Sequence, residues 1–171
     1  MVIRNALDGD LMNVAALHVS NQRTTYRGLL SDEYLDRLTV ESRAEKWREF
    51  LHHEGNELFA AWEGSRFLGF AACEADAEFP GCMYLDSLHV APEVRGLGVG
   101  TALIRTVARY AAEHGCDAMS VCIVRGNETA RRLYLELGAV HERFFIDSFE
   151  GTTSRSEKLR WTDLCALLSQ Q

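Results

Sequence analysis

Only two prolines interrupt this 171-residue chain, and no two of its five cysteines stand in a CxxC spacing. Cys73, Cys82, Cys116, Cys122 and Cys165 are odd in number and sit mostly among apolar residues, the pattern of reduced thiols rather than of a disulfide framework. No short-spaced pair of Cys or His supplies a ligand set, so no metal is expected. The apolar runs fall well short of the roughly 20 residues a membrane span needs, and Met1 to Asp10 holds no basic stretch leading into an apolar one. A cytoplasmic protein without a membrane partner is expected. Basic residues are in the minority, 18 Lys and Arg against 25 Asp and Glu for a net charge of −7, whereas a nucleic-acid-binding face needs clustered cations. Nucleic acid is not an expected partner.

What the chain does hold is 47% hydrophobic residues, enough for a single domain over residues 1–171 around one core. Leu11, Val14, Ala15, Leu17 and His18 recur at helical spacing between Asp8 and Tyr26, with Asp8 as a candidate cap. Ser31 opens a second helix, and a third, with Trp47 and Phe50, runs to about His53. Residues 57–62 and 66–74 read as a hairpin around Glu63-Gly64-Ser65, and 83–90 as a further strand. A helix follows over 101–113, then a β-branched strand over 119–124, a helix over 127–137 ended by Gly138, and a last hairpin, 144–149 with 154–161. This order predicts a mixed sheet with helices on both faces. Trp62, Trp161 and the phenylalanines of the last two strands are expected in the core first and as a substrate wall second, and His52-His53 at a solvated helix end.

Between the strand ending at Val90 and the helix that follows lies Arg95-Gly96-Leu97-Gly98-Val99-Gly100. The first N–H groups of a helix lack internal acceptors and carry partial positive charge, and glycines let that backbone approach an anion closely. Such a turn suits a diphosphate. A nucleotide P-loop needs GxxxxGK[ST], but no Lys precedes Thr101. A dinucleotide fold needs GxGxxG early in an alternating βαβ unit, whereas here the spacing is GxGxG after three helices and three strands.

The segment Leu88-His89-Val90-Ala91-Pro92-Glu93-Val94-Arg95-Gly96-Leu97-Gly98-Val99-Gly100 resembles the signature of the GCN5-related N-acetyltransferase (GNAT) superfamily: a strand, V-x-P, then [RQ]-x-x-G-x-[GA] opening a helix. Asn127, Ala130, Tyr134 and Gly138 match its second motif, and the element order agrees over nearly the whole chain. Tyr26 to Leu30, with Trp47, is similar to a bacterial subgroup of uncharacterised members. The resemblance implies an α/β GNAT fold with a V-shaped splay between two parallel strands, here 83–90 and 119–124. It also implies acetyl-CoA as co-substrate, a small-molecule or peptide amine as acceptor, and a possible homodimer.

By the same resemblance the cofactor would lie on Leu88, His89 and Val90, on the turn Arg95, Gly96, Leu97, Gly98, Val99, Gly100 and Thr101, and on Asn127, Ala130 and Tyr134. Its pyrophosphate would rest on the amides of Arg95 to Thr101. Tyr134 falls at the family's general acid; a packed core aromatic is the alternative. The Val90 amide would face the developing oxyanion, and Asn127 would hold the cofactor arm or cap its helix. The base is open between Asp86 and Glu74, because many members carry Glu where this chain has Tyr84. Strand alternation puts Asp86 on the face of Tyr84 and turns His89 away from it, under a helix. Tyr26 and Tyr84 are placed on the acceptor side. A non-catalytic acyl-CoA sensor and a nucleotide-binding module without preference for coenzyme A are the competing functions.

Overall fold

A computed structural model describes residues 1–169. Its strands are β1 (Val2–Asn5), β2 (Glu57–Glu63), β3 (Arg66–Ala75), β4 (Cys82–Val90), β5 (Ala118–Val124), β6 (Val140–Phe149) and β7 (Thr152–Trp161). The helices are α1 (Leu11–Thr25), α2 (Asp32–Arg37), α3 (Val40–Leu51), α4 (Val99–Glu113), α5 (Glu128–Glu136) and α6 (Leu164–Ser169). The strands form one sheet in the order β1-β2-β3-β4-β5-β7-β6, antiparallel throughout except for β4 beside β5. The mixed sheet with helices on both faces is as expected.

On one face α4 buries Leu103, Ile104, Val107, Ala108 and Ala111, an apolar stripe at three- and four-residue steps, against Leu85 and Met119 of the sheet. On the other, Leu11, Val14 and Ala15 of α1 and Trp47 of α3 cover Leu58, Ala60, Phe70 and Ala72. The end of the sheet where β4 and β5 pair is braced by a buried ion pair. Lys158 on β7 contacts Asp76 at 2.9 Å and Glu78 at 2.7 Å, and Ser120 on β5 donates to Asp76, so the loop before β4 is tied to both later strands.

β4 pairs with β5 only from Cys82 opposite Ala118 to Leu85 opposite Val121. Against β3, Cys73 faces Leu85 and Ala72 faces Ser87, so Asp86 is an extra residue, a β-bulge. Bulges bend and twist the strand that carries them, and here β4 parts from β5 at that point. The bulge also reverses the side-chain alternation. Met83 and Leu85 pack towards α4, and so do Leu88 and Val90 beyond it. His89 therefore falls on the α1 face with Tyr84, correcting the expectation that simple alternation turns it away from Asp86. It does pack under a helix: its ring stacks on Phe70 at 5.1 Å and lies 4.6 Å from that of His18 on α1.

Several boundaries differ from the sequence reading. β1 is a four-residue strand and α6 a six-residue helix, both too short to show periodicity. β6 begins at Val140 and β7 at Thr152, and β7 inserts between β5 and β6. Asp8 does not cap α1; a 3-10 turn over Asp8–Asp10 precedes the helix, and Asp10 accepts from the Leu7 amide at 2.8 Å and pairs with Arg4. Trp161 is buried as expected, Trp62 only partly, and Phe144 is 54% exposed because β6 is the sheet edge. His52 ends α3 in solvent, as expected.

The paired histidines set a pH limit on this packing. His18 accepts from the Trp47 indole N–H at 2.9 Å, leaving its own proton on an Nε2 without a partner. Desolvation holds His18 well below the usual imidazole range and, with Arg95 and Arg43 adding repulsion, holds His89 down to about 3. The unfolded chain therefore binds more protons than the folded one between about pH 6.5 and 3, and stability is lost as pH falls through that window. Glu74 and Asp86, raised by burial, act in the opposite sense. Urea unfolding at stepped pH is expected to show a smaller acid-side slope for His89→Phe than for the parent, by about one proton. Parallel slopes would contradict this.

Candidate active site

The turn after β4 is shaped by two glycines in the left-handed region, Gly96 at φ +77° and Gly98 at φ +85°. A Cβ built on either meets nothing within 4 Å, so both backbones border open space. The amides of Arg95 and Leu97 are spent on the carbonyls of Pro92 and Val94, and that of Ala102 on Gly98. Those of Gly96, Gly98, Val99, Gly100 and Thr101 have no backbone acceptor among the described residues, at the positive end of the fifteen-residue α4. This corrects the expectation of an unbroken row of amides from Arg95 to Thr101. Leu97 instead exposes its side chain, 73% accessible, and Val99 sends its own into the core. Gly100 is helical, and a Cβ there would sit at ordinary distance from Leu133 and Val90.

The Arg95 side chain is engaged rather than free. Its Nη2 donates to Asn21 Oδ1 at 2.8 Å and its Nε to the Val90 carbonyl at 3.3 Å. Asn21, buried on α1, donates through Nδ2 to the same carbonyl at 3.1 Å. The two side chains thus withdraw the Val90 carbonyl from any other use. The neighbouring Ala91 amide bonds to Leu68 on β3, so by ladder alternation the Val90 amide faces the other way, into the gap left by β5. Asn21 escaped the sequence reading because nothing in an amphipathic helix distinguishes a buried amide that faces a strand end from an ordinary polar position.

These groups border a cavity of about 480 Å³. Its wall brings together Leu88, His89 and Val90 of β4, Arg95, Gly96, Gly98, Gly100 and Thr101 of the turn, and Asn127, Ala130 and Tyr134 of α5, with Tyr26 after α1. Asn21, Thr25, Thr129 and Leu133 join them without having been singled out. Asn127 caps α5, its Oδ1 accepting from the Ala130 amide at 3.4 Å, while still lining the cavity. Tyr134 packs edge-on against Trp161 with ring centroids 5.6 Å apart, which satisfies the core reading, and yet its phenol borders the cavity. Burial, with Tyr26 nearby, pushes that phenol above its usual range and keeps it protonated. Burial also raises Tyr26, partly offset by a hydrogen bond with Asn127.

Tyr84, Asp86 and Glu74 stand apart from this cavity. Asp86 accepts from Ser87 Oγ at 2.9 Å, and burial raises its pKa; burial and the nearby Asp86 charge raise that of Glu74, whose cross-strand neighbour is Tyr84. Tyr84 is held protonated by burial and lies beside the Cys122 thiol of β5. A larger open groove of about 740 Å³ meets the first only at Asn127 and is bordered by Arg125, Arg155, Phe144 and Ile146. It holds none of the glycine turn.

Comparison with known proteins matches residues 23–139, more than half of the chain, to the acetyltransferase (GNAT) family. The N-acetyltransferase YuaI of Bacillus subtilis (strain 168), itself uncharacterized, is 27% identical over 177 residues, 98% of this chain and 96% of that protein. Among solved structures, ribosomal-protein-alanine N-acetyltransferase from Brucella melitensis superposes with a TM-score of 0.75 at 20% identity, over 94% of this chain and 99% of that one. The PaiA N-acetyltransferase of Thermoplasma acidophilum, in complex with coenzyme A, superposes with a TM-score of 0.72 at 18% identity, over 94% and 98%. At these identities the two structures speak for the fold alone.

Asn21→Ala leaves a buried carbonyl and a guanidinium each short of a partner and is expected to cost about 1–3 kcal/mol. Because Asn21 and Arg95 share one acceptor, the double variant with Arg95→Ala should lose less than the two single losses together, measured by urea unfolding. Strict additivity would mean that the two side chains act separately.

Proposed function

Since the chain belongs to the GNAT acetyltransferase family, we propose that it moves an acetyl group from acetyl-CoA to a primary amine of a small molecule or peptide, by direct attack within a ternary complex. The observation that carries this reading is the convergence of the unpaired amides of Gly96, Gly98, Gly100 and Thr101, the outward-facing Val90 amide and the Tyr134 phenol on one cavity. The residues present fit the cofactor: both left-handed glycines leave open space beside free N–H groups, and the unpaired edge of β4 leaves room for an extended arm to add as a strand would. Acetyl-CoA, when bound, supplies an activated thioester and a thiol leaving group.

The chain's own groups then divide the work. The amides of Gly96 and of Gly98 to Thr101 hold the diphosphate, while Leu88, Val90, Asn127 and Ala130 line the arm. The Val90 N–H donates to the acyl oxygen as it gains negative charge. Tyr134, protonated at neutral pH, donates to the departing sulfur. Asp86 is the base we favour over Glu74 because it sits at the bulge where β4 leaves β5; burial raises its pKa, which suits a proton acceptor. Tyr84 beside it and Tyr26 at the α1 end wall the acceptor side. The whole chain acts as one catalytic domain, and the −7 charge favours approach of cationic amines.

Acetyl-CoA at about 100 Kd should stabilise the protein by about 2.7 kcal/mol, visible as a raised Tm, whereas ATP or NADH should leave it unchanged. Gly98→Val should abolish most of that shift, because a branched residue is strained at φ +85° and its side chain would fill the phosphate approach. An undiminished shift would contradict the turn's assignment.

Tyr134→Phe should lower kcat by about 100-fold or more in a thiol-release assay over a panel of amines while the Kd for acetyl-CoA stays within a few-fold. Unchanged turnover would remove Tyr134 from the mechanism.

A further inference from the structure

The open groove of about 740 Å³ lies on the flank of α5 away from the cofactor cavity: Glu128 and Arg131 of that helix border it, whereas Ala130, Leu133 and Tyr134 line the other space. Its floor is the outer pair of strands. Phe144 faces Glu157 across the ladder and Ile146 faces Arg155, so all four side chains share the side of the sheet on which α5 sits. Phe144 is 54% and Ile146 67% exposed, an apolar strip left open beside the helix.

The charges along this groove are unevenly matched. Glu157, 2% exposed, is bonded by Arg131 at 2.8 Å and by His141 at 2.8 Å, so its charge is answered. Arg125 and Arg155 are held side by side, because the Arg125 amide donates to the Arg155 carbonyl at 2.8 Å, yet neither guanidinium makes a hydrogen bond or an ion pair among the described residues. Arg125 lies instead on the Phe144 ring at 4.6 Å, which orients its planar fork over an apolar surface. Glu128 is the one acid lining the groove without a cation among the described residues.

We propose that this groove is a second binding site, for a small molecule that carries a phosphate or a carboxylate on an apolar body. Arg125 and Arg155 hold the oxyanion, and the body lies along Phe144 and Ile146. A guanidinium presents paired N–H groups at the spacing of two such oxygens and gives up its water more readily than an ammonium. Two adjacent cations repel each other until an anion sits between them, and the groove is of the size that holds small organic ligands. None of these four residues borders the cofactor cavity, so the inference goes beyond the proposed reaction and both sites can be filled together.

Isothermal titration of the full chain with phenyl phosphate and with benzoate, each in the presence of coenzyme A, is the test. The tighter of the two identifies the headgroup, with an expected Kd of about 1 mM or below. Benzyl alcohol, which lacks the charge, and inorganic phosphate, which lacks the body, should each bind about tenfold more weakly. Arg125→Gln and Arg155→Glu should each weaken the tighter ligand by about tenfold or more, while Arg155→Lys keeps most of the affinity. Glu128→Gln removes the opposing charge and should tighten it by about twofold or more. A thermal melt of each variant checks that it is folded. No heat with either oxyanion would overturn the proposal, as would benzyl alcohol binding equally well. So would affinity indifferent to both arginines, the result for an anion resting on the glycine turn. Failure of coenzyme A itself to bind would count against the proposed reaction alone, since the arginine variants still decide this site.

Discussion

The site depends on one extra residue in one strand. Where Asp86 bulges out of register with β3, β4 turns away from β5, and a parallel pair that starts with regular hydrogen bonds at Cys82 ends at Leu85. From there β4 has a bare edge, and a bare edge in a sheet interior presents unpaired amides to whatever can enter. The same bulge shifts the alternation of side chains, sending Leu88 and Val90 towards α4 and His89 under α1. Opening the gap, freeing the backbone and choosing which side chains line it are thus one event.

A gap of this kind would collapse without something to hold it. At its closed end the Asp76–Lys158–Glu78 cluster, together with Ser120, ties the β3–β4 loop to β5 and β7. At its open end Asn21 and Arg95 share the Val90 carbonyl and so attach α1, the end of β4 and the glycine turn to a single atom. The Arg95 guanidinium is fixed in this arrangement and is not a mobile counter-charge. What it supplies instead is a fixed geometry for the turn, whose peptide N–H groups then stand as a preorganised set.

Much of this was legible from residues alone. Alternate glycines between a strand and a helix announce a turn with open backbone and unpaired amides, and the spacing from Val90 through Pro92 to Gly100, with Asn127 and Tyr134 further on, carries a family resemblance that the comparison bears out. What failed to show has a physical reason in each case. Val2 to Asn5 is too short for a period to emerge, and the insertion of β7 between β5 and β6 is a choice of partner that no local pattern encodes. The Asp86 bulge is invisible because its neighbours read as an ordinary strand, and this is why alternation misplaced His89. Asn21 depends on a contact between segments about 70 residues apart, which only the folded chain defines, and the amides of Arg95 and Leu97 are spent on carbonyls three residues back by the bends of the turn itself.

The placement of β7 has a temporal consequence. During synthesis β5 and β6 leave the ribosome before the strand that must lie between them, so until residues 152–161 follow, the far border of β5 stays unsatisfied and β6 has nowhere to dock. Nascent chains exposing such borders are prone to pair wrongly or to engage chaperones. The sheet is therefore completed from within, by a strand that arrives after both of its neighbours.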